Sequence, residues 1–144
     1  MTYSEAYEKA LQLLNVRFLS EGELRLKLRR RDVSDDVIDE VMAMLKEEHF
    51  IDDERLARQV YAYYVRKGQY GHLYIANCLR RRQLTVPDDV ERPDEYALAE
   101  ALTDRKFSRH RDEARKAARY LQYRGFSPAV IAEVIASFTV SDGD

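Results

Sequence analysis

Three clusters of basic side chains are the groups in this sequence whose types and spacing could do chemistry, namely the binding of phosphates or carboxylates. The first lies in "LRRRDVS" at residues 28–34, and the second lies in "LRRRQLT" at residues 79–85. The third is the stretch 105–124, which contains eight bases and two acids. Such a local concentration of positive charge can attract a polyanion even when the whole chain is nearly neutral.

Within the third cluster, three arginines are spaced by four residues, which places them along one face of a helix. Bases near helix ends also have a simpler explanation, because they compensate the helix dipole and aid solubility. Ion pairs with the acidic stretch 88–104 are a further alternative for the third cluster. All three interpretations stay open. The predicted partner contacts in the clusters are Arg29, Arg30, Arg31, Arg80, Arg81, Arg82, Arg111, Arg115, Lys116 and Arg119.

Tyrosines concentrate around the turn "RKGQYGH" at residues 66–72. Aromatic rings beside bases can stack on the bases of single-stranded nucleic acid. The alternative is packing in or near the core. At least one of Tyr61, Tyr63 and Tyr64 must pack there, because successive helical residues face different directions. The turn adds Arg66, Lys67 and Tyr70 to the predicted contacts.

The cysteine and the histidines, which often carry catalysis or bind metals, do not form a recognisable site in this sequence. Cys78 is the one cysteine, and the three histidines form no metal-ligand spacing with it. Gly68 and Gly71 lack the Walker pattern and a preceding strand, so they predict a helix–helix turn rather than a phosphate loop. We therefore expect no enzyme activity, no cofactor and no metal.

The composition limits the classes of protein to which this chain can belong. The 144 residues include 24 Lys and Arg against 26 Asp and Glu, so the net charge of −2 gives no overall attraction to nucleic acid. Five glycines, three prolines and 45% hydrophobic residues predict a folded, helix-rich chain. The sequence has no run of about 18 apolar residues, and its N-terminus carries acids where a signal peptide carries bases. We expect a cytoplasmic protein without a membrane segment.

Helix start signals recur along the chain, and no convincing strand is found. Ser20 with Glu23 three residues later forms a capping box. Ser127 is followed by Pro128, and proline is favoured at the first helical position. These signals and the apolar spacing predict nine helices. The remaining N-cap candidates are Ser4, Ser34 and Asp52.

The predicted helices fall into groups of three that align with one another. Leu28, Leu79 and Leu121 occupy equivalent positions, and each is followed six residues later by a serine or threonine. The unequal spacings exclude a strict solenoid period, but the aligned chemistry indicates an internal repeat. We predict an all-α fold of three tandem three-helix repeats, which together form an elongated, curved array.

The boundaries of the repeats follow from this alignment. The first repeat is predicted at residues 1–50, the second at 51–92, and the third at 93–144 with a short C-terminal tail. Pro87 and Pro93 limit the third helix of the second repeat to a turn or two. We therefore expect a shortened helix there.

Three segments of the sequence resemble the RecX family, bacterial modulators of the RecA recombinase filament. The first is "ALQLLNVRFLSEGELRLKL", a helix followed by S-x-x-E-L. The most characteristic is "HFIDDERLARQVYAYYVRKGQYGHLYIANCL", with an aliphatic-Asp-Asp before a helix, a basic-Gly turn and an Ile-x-x-x-Leu helix. The third, "YLQYRGFSPAVIAEVI", is similar to the last repeat of the family. The chain departs from the family pattern where "DDVER" stands in place of a full-length helix.

The resemblance implies an all-α protein of three three-helix repeats without catalytic activity. Family members bind the RecA–single-stranded-DNA filament in its groove and suppress its ATP hydrolysis, strand exchange and stimulation of repressor self-cleavage. It therefore implies a RecA inhibitor that regulates DNA repair and the SOS response. Weak, non-specific binding to single-stranded or duplex DNA is a further expectation. The sequence shows no coiled-coil seam, so we expect a monomer.

Two other functions stay open from the sequence. A direct DNA-binding regulator of helix-turn-helix type would use the helix after Ser34 or Ser127 for recognition. The first of these, "DDVIDEVMAMLKEE", is acidic, and the second, "PAVIAEVIASF", has no base or amide with which to read a groove. The other alternative is an adaptor for a different protein partner, which the composition does not exclude.

Overall fold

The computed structural model describes residues 1–138 and contains eight α-helices, with no β-strand in this part of the chain. The all-α prediction is confirmed. None of these helices combines the length and hydropathy needed to span a bilayer. The short C-terminal tail predicted after the third repeat lies outside the described residues. The helices are α1 (Tyr3–Val16), α2 (Glu21–Arg29), α3 (Asp35–Glu47), α4 (Asp53–Lys67), α5 (His72–Arg81), α6 (Glu95–Lys106), α7 (Ala114–Tyr123) and α8 (Pro128–Ile135), with a 3₁₀ turn at Arg111–Glu113.

Side-chain caps fix where most of these helices begin. At α2, Ser20 Oγ accepts a hydrogen bond from the Glu23 N–H and the Glu23 carboxylate accepts one from the Ser20 N–H, which confirms the capping box. The expectation for Ser4 is wrong, because Thr2 and Glu5 supply both halves of a capping box and start α1 at Tyr3. The other confirmed caps are Ser34, Asp52 and Ser127.

The described chain divides into two compact units, and the first comprises residues 1–60 and 79–87. Its core lies where α1 and α2 pack against α3. Leu24 and Leu28 of α2 and Ile38 of α3 are fully buried. Burial of each such side chain contributes about 1.5–3 kcal/mol, so this apolar contact is what holds the short helices together.

The second unit comprises residues 61–78 and the described residues from 88 onward. Its core is formed by α6, α7 and α8, and Ala117 and Leu121 of α7 are fully buried beside Phe126. Because the divisions at residues 60 and 78 fall within α4 and α5, each of these helices contributes to both units. The repeat boundaries at residues 50 and 92 stay predictions.

The expected third helix of the second repeat does not form. Residues 88–89 make a turn, and the flanking residues between α5 and α6 have no helical structure. Pro87 and Pro93 disfavour helical backbone in the residues that precede them, which leaves five residues between the two prolines. So short a segment gains too few hydrogen bonds to offset the cost of helix nucleation. The second group of helices in the described chain is therefore a pair, α4 and α5.

Two glycines in the second unit allow the start of α5 to approach the end of α7 closely. The Gly71 N–H donates to the Arg124 carbonyl at 2.7 Å, and the Leu73 N–H donates to the Gly125 carbonyl at 3.0 Å. Gly125 has a φ of +83°, and a Cβ there would lie 2.2 Å from the Tyr74 backbone nitrogen. The contact therefore requires the absence of a side chain at this position.

We expect Gly125→Ala to lower the free energy of unfolding by more than about 2 kcal/mol, since left-handed backbone strain and a steric clash add together. Gly68→Ala is the matched control, because Gly68 also has positive φ but a Cβ there meets no atom within 4 Å. The control should cost about 1 kcal/mol. Urea unfolding measures both changes, and equal losses in the two variants would contradict the role given to the close approach.

Candidate functional site

Three exposed basic side chains lie on α7. Ala117 and Leu121 face the core, and at about 100° per residue Arg115 and Arg119 lie on the opposite side of the helix. Lys116 is exposed at the edge of the same surface. α7 contains three bases and no acidic residue, so its outer face carries uncompensated charge along more than one turn.

The alternative of internal ion pairing is correct for one arginine of this segment. Arg109 forms ion pairs with Asp104 at 2.7 Å and Glu100 at 3.6 Å. The hydrogen bond to Asp104 is the largest of the influences that raise the pKa of Arg109. Arg109 therefore belongs to the fold of the second unit rather than to an open surface.

The bases between residues 111 and 119, which we call the stripe, behave differently from Arg109. Within residues 1–138, no ion pair shorter than 4 Å involves Arg111, Arg115, Lys116 or Arg119. All four side chains are exposed. Pairing with the acidic stretch therefore does not explain this stripe, and its residues are open to a partner.

The two acids next to the stripe are engaged locally. Glu113 accepts hydrogen bonds from the backbone N–H and the hydroxyl of Ser108, and these bonds lower the pKa of Glu113. Asp112 lies 3.6 Å from the His110 ring. Both carboxylates belong to the 3₁₀ turn that precedes α7, so they occupy the positive end of the helix dipole and leave the outer face basic.

Tyr123 is an exposed aromatic residue that sequence reasoning missed. Its side chain is 79% exposed, and it stands one helical turn after Arg119. The position follows from a helical wheel once Ala117 and Leu121 are known to face the core. The sequence alone offers many tyrosines and does not distinguish this one.

The arginines of "LRRRDVS" complete the end of α2. Arg29 lies in the last turn and contacts Asp35 at 3.3 Å, while Arg31 donates to the Lys27 carbonyl at 3.2 Å. Arg30 is the C-cap residue and is exposed. Exposed pairs of this kind contribute little to stability, so the three side chains stay available as predicted contacts.

The arginines of "LRRRQLT" are not equivalent to one another. Arg82 is half-buried, donates to the Phe18 carbonyl at 2.7 Å, and forms hydrogen bonds to Glu23 at 3.1 and 3.2 Å. The Arg82 carbonyl in turn accepts the Ser20 hydroxyl at 2.6 Å. We call these four residues the Arg82 junction. It holds the residues that follow α5 against the start of α2 within the first unit.

Arg82 was predicted as a partner contact, and its hydrogen bonds give its side chain a structural role instead. Its guanidinium is committed to the carboxylate of Glu23 and to a backbone carbonyl. Arg80 and Arg81, in the last turn of α5, are exposed. They stay predicted contacts.

The tyrosines around the glycine turn pack mainly against one another. Tyr70 and Tyr74 are stacked with ring centroids 4.0 Å apart, and Tyr64 contacts both rings edge-on. The Arg124 guanidinium lies 5.6 Å from the Tyr70 ring centre. Half-buried packing is confirmed for these three rings, and Tyr70 stays a predicted contact.

Other residues of the same turn are divided between core and solvent. Tyr61 is buried and hydrogen-bonds His72 Nδ1 at 2.8 Å, and burial lowers the pKa of His72. Tyr63 is 48% exposed with Lys67 over its ring. Arg66 is exposed. Lys67 and Arg66 therefore stay candidates for contact with a partner.

An exposed apolar groove lies in the first unit. It has a volume of about 750 Å³ and is lined in part by Leu14, Val16, Phe18 and Phe50. α1 ends at Val16, and Phe18 beyond it is 71% exposed. The helix end turns this ring outward.

The described residues hold no group of three or more His, Cys, Asp or Glu side chains arranged to bind a metal ion. Cys78 is a half-buried free thiol. The helix that follows Ser34 exposes Asp35, Asp36 and Asp39, a surface that phosphates would repel. The surfaces suited to a polyanion are therefore the basic ones.

In comparison with known proteins, two family models match segments towards the two ends of the chain. A family model described as RecX, first three-helix domain, matches residues 6–45, and one described as RecX, third three-helix domain, matches residues 93–135. The regulatory protein RecX of Vibrio cholerae (strain O395) is 34% identical over 129 residues, which cover 83% of this chain and 84% of that protein.

Other relatives are longer or more distant. The regulatory protein RecX of Geobacillus kaustophilus is 32% identical over 145 residues, and the match covers 92% of this chain and 53% of that protein. The chain thus spans about half the length of this relative. The crystal structure of RecX from Lactobacillus salivarius superposes with a TM-score of 0.72, covering 94% of this chain and 96% of that one at 23% identity. The structural likeness shows a shared fold.

We expect Arg82→Ala to lower the free energy of unfolding by about 1.5–3 kcal/mol, because hydrogen bonds to a charged group are lost and the half-buried Glu23 keeps only the exposed Arg17, at 3.3 Å, as a cationic partner. Arg81→Ala is the matched control, since Arg81 is the neighbouring residue at the end of α5 but is exposed. Urea unfolding should show a change below about 0.5 kcal/mol for the control. A similar effect of the two substitutions would contradict the Arg82 junction.

The effect of Arg82→Ala should depend on pH. Burial raises the pKa of Glu23, but hydrogen bonds from Arg82 and from the Ser20 N–H outweigh it and lower the pKa below 4.5. A lowered folded-state pKa stabilises the protein above the ordinary pKa and loses this contribution as pH falls through the folded value. The stability difference between wild type and Arg82→Ala should therefore shrink between about pH 5 and pH 3. A difference that is constant over this range in urea titrations would contradict the pairing.

Proposed function

The chain belongs to the RecX family, and from this premise we propose that it binds the RecA–single-stranded-DNA filament and inhibits RecA. Bound in the filament groove, it would suppress ATP hydrolysis, strand exchange and the co-protease activity of RecA, and so regulate DNA repair. It would do this by occupying a surface, without catalysing a reaction. Action on RecA would place the protein in the cytoplasm, where we propose that it works as a monomer.

The observation that carries this proposal is the match to regulatory RecX proteins along most of the chain, which includes a relative covered over 84% of its length. The charge distribution supports it. α7 carries exposed cations that have no ion-pair partner among residues 1–138, and further bases lie at the ends of α2 and α5; these bases suit a filament whose DNA is a polyanion. Weak, non-specific binding to single-stranded or duplex DNA is part of the proposal.

The inhibitory mechanism would be steric and electrostatic. A chain that contacts neighbouring RecA subunits together makes its second contact at high effective concentration, so it favours the filament over free RecA. A bound chain would also obstruct conformational change and access to the groove. These effects need complementary surfaces and no catalytic group.

We expect the protein to inhibit ATP hydrolysis by RecA on single-stranded DNA progressively as it is titrated, with strong suppression at a several-fold molar excess. Co-sedimentation tests the binding step, because the protein should pellet with nucleotide-bound RecA filaments. RecA without nucleotide and DNA is the control and should not carry it down. If neither inhibition nor co-sedimentation occurs, the proposed function is wrong and a different protein partner must be sought.

A further inference from the structure

We propose that the outer face of α7 binds single-stranded nucleic acid directly, with phosphates on its cations and an unstacked base on its exposed tyrosine. The face consists of Arg115, Lys116, Arg119 and Tyr123, and we call it the α7 basic face. The inference deepens the proposed function by assigning the DNA contact to this face. It depends on the geometry of α7 itself and is tested without RecA.

The four side chains lie within a narrow sector of the helix. At about 100° per residue, Arg115 and Lys116 bound an arc of about 100°, and Arg119 and Tyr123 lie inside it. The centre of this arc is opposite the buried Ala117 and Leu121. One ligand lying along the outer side of α7 could therefore contact all four side chains together.

In the described part of the chain, these side chains are mostly left to solvent. The three cations make no ion pair within 4 Å among the described residues, whereas nearby Arg109 is paired. Lys106 and Arg124 both lie over the ring of Tyr120 on the same helix. Tyr123 has no aromatic or cation–π contact in the described part of the chain, and its side chain is 79% exposed. Its ring is free to receive a ligand.

An exposed aromatic ring among cations favours a single strand over the alternatives. An acidic protein surface would satisfy the cations but gives no reason for a solvent-exposed ring. Duplex DNA would offer phosphates, but its bases are already stacked on one another. A single strand supplies both phosphates and unstacked bases, and stacking of a base on an aromatic ring contributes to binding whatever the base sequence.

The test is the fluorescence anisotropy of a labelled oligothymidylate of about 20 nucleotides, titrated with the protein at low salt in the absence of RecA. Tyr123→Ala should weaken binding about tenfold, because one stacking contact is lost. Tyr123→Phe keeps the ring and should stay within about twofold of wild type. Both substitutions are at an exposed position, so folding should be retained, and circular dichroism checks this.

The salt dependence tests the cations separately. With three phosphates neutralised, the logarithm of the binding constant should fall with the logarithm of salt concentration with a slope of about −2. Arg115→Ala combined with Arg119→Ala should reduce this slope to about −0.7. Lys9→Ala combined with Arg55→Ala removes the same charge from α1 and α4 of the first unit, outside the basic clusters, and is the matched control, expected to leave the slope near −2.

Three outcomes would overturn the inference: equal weakening by the control pair, wild-type affinity in Tyr123→Ala, or no binding to the oligonucleotide at low salt. ATP hydrolysis by RecA separates this inference from the proposed function. If RecA is inhibited by a protein that does not bind the oligonucleotide, the proposed inhibition of RecA stands, whereas the inference and the proposed binding to single-stranded DNA are wrong. If the oligonucleotide binds through α7 but RecA is not inhibited, the inference stands and the function is wrong.

Discussion

The Arg82 junction is the polar contact on which the first unit depends, because it joins segments that are far apart in sequence. Ser20 caps α2 with its hydroxyl oxygen and donates the hydroxyl hydrogen to the Arg82 carbonyl. Glu23 completes the capping box and also accepts hydrogen bonds from the Arg82 guanidinium. One pair of side chains thus starts a helix and fixes residues 79–87 to it. The fully buried Ser20 is satisfied in both its donor and its acceptor.

The second unit makes the corresponding join with backbone groups. Gly71 and Gly125 let the start of α5 meet the turn after α7 closely enough for two backbone hydrogen bonds. Short helices bury too little apolar surface to be stable alone, so each must be held against neighbours by contacts of this kind. The two ends of α5 are thus held by the glycine contact at its start and by the Arg82 junction after its last residue, each within its own unit.

Most features that depend on neighbours in sequence were predictable, although the cap of α1 was placed at Ser4 instead of Thr2. Features that depend on distant residues were not predictable. The capping box at Ser20 and the proline start of α8 each involve residues within one helical turn of each other, and both predictions are confirmed. The two prolines predicted a weakened helix but not its loss. The role of Arg82 depends on Glu23, 59 residues away, so the repeated "LRRR" suggested an equivalence that the fold does not keep. The exposure of Tyr123 likewise depends on which face of α7 the core selects.

The way in which the second unit distributes its acids determines what the α7 basic face can do. Arg109 pairs with the carboxylates of Asp104 and Glu100, and the Glu113 carboxylate accepts hydrogen bonds from Ser108, so these acids are held by local contacts and form no close ion pair with the cations of α7. Since the whole chain has a net charge of −2, a distant polyanion experiences little attraction. At physiological ionic strength exposed charges act over about 8 Å. The face therefore acts on a ligand that is already close, and its contribution is to select and orient a strand rather than to draw one from solution.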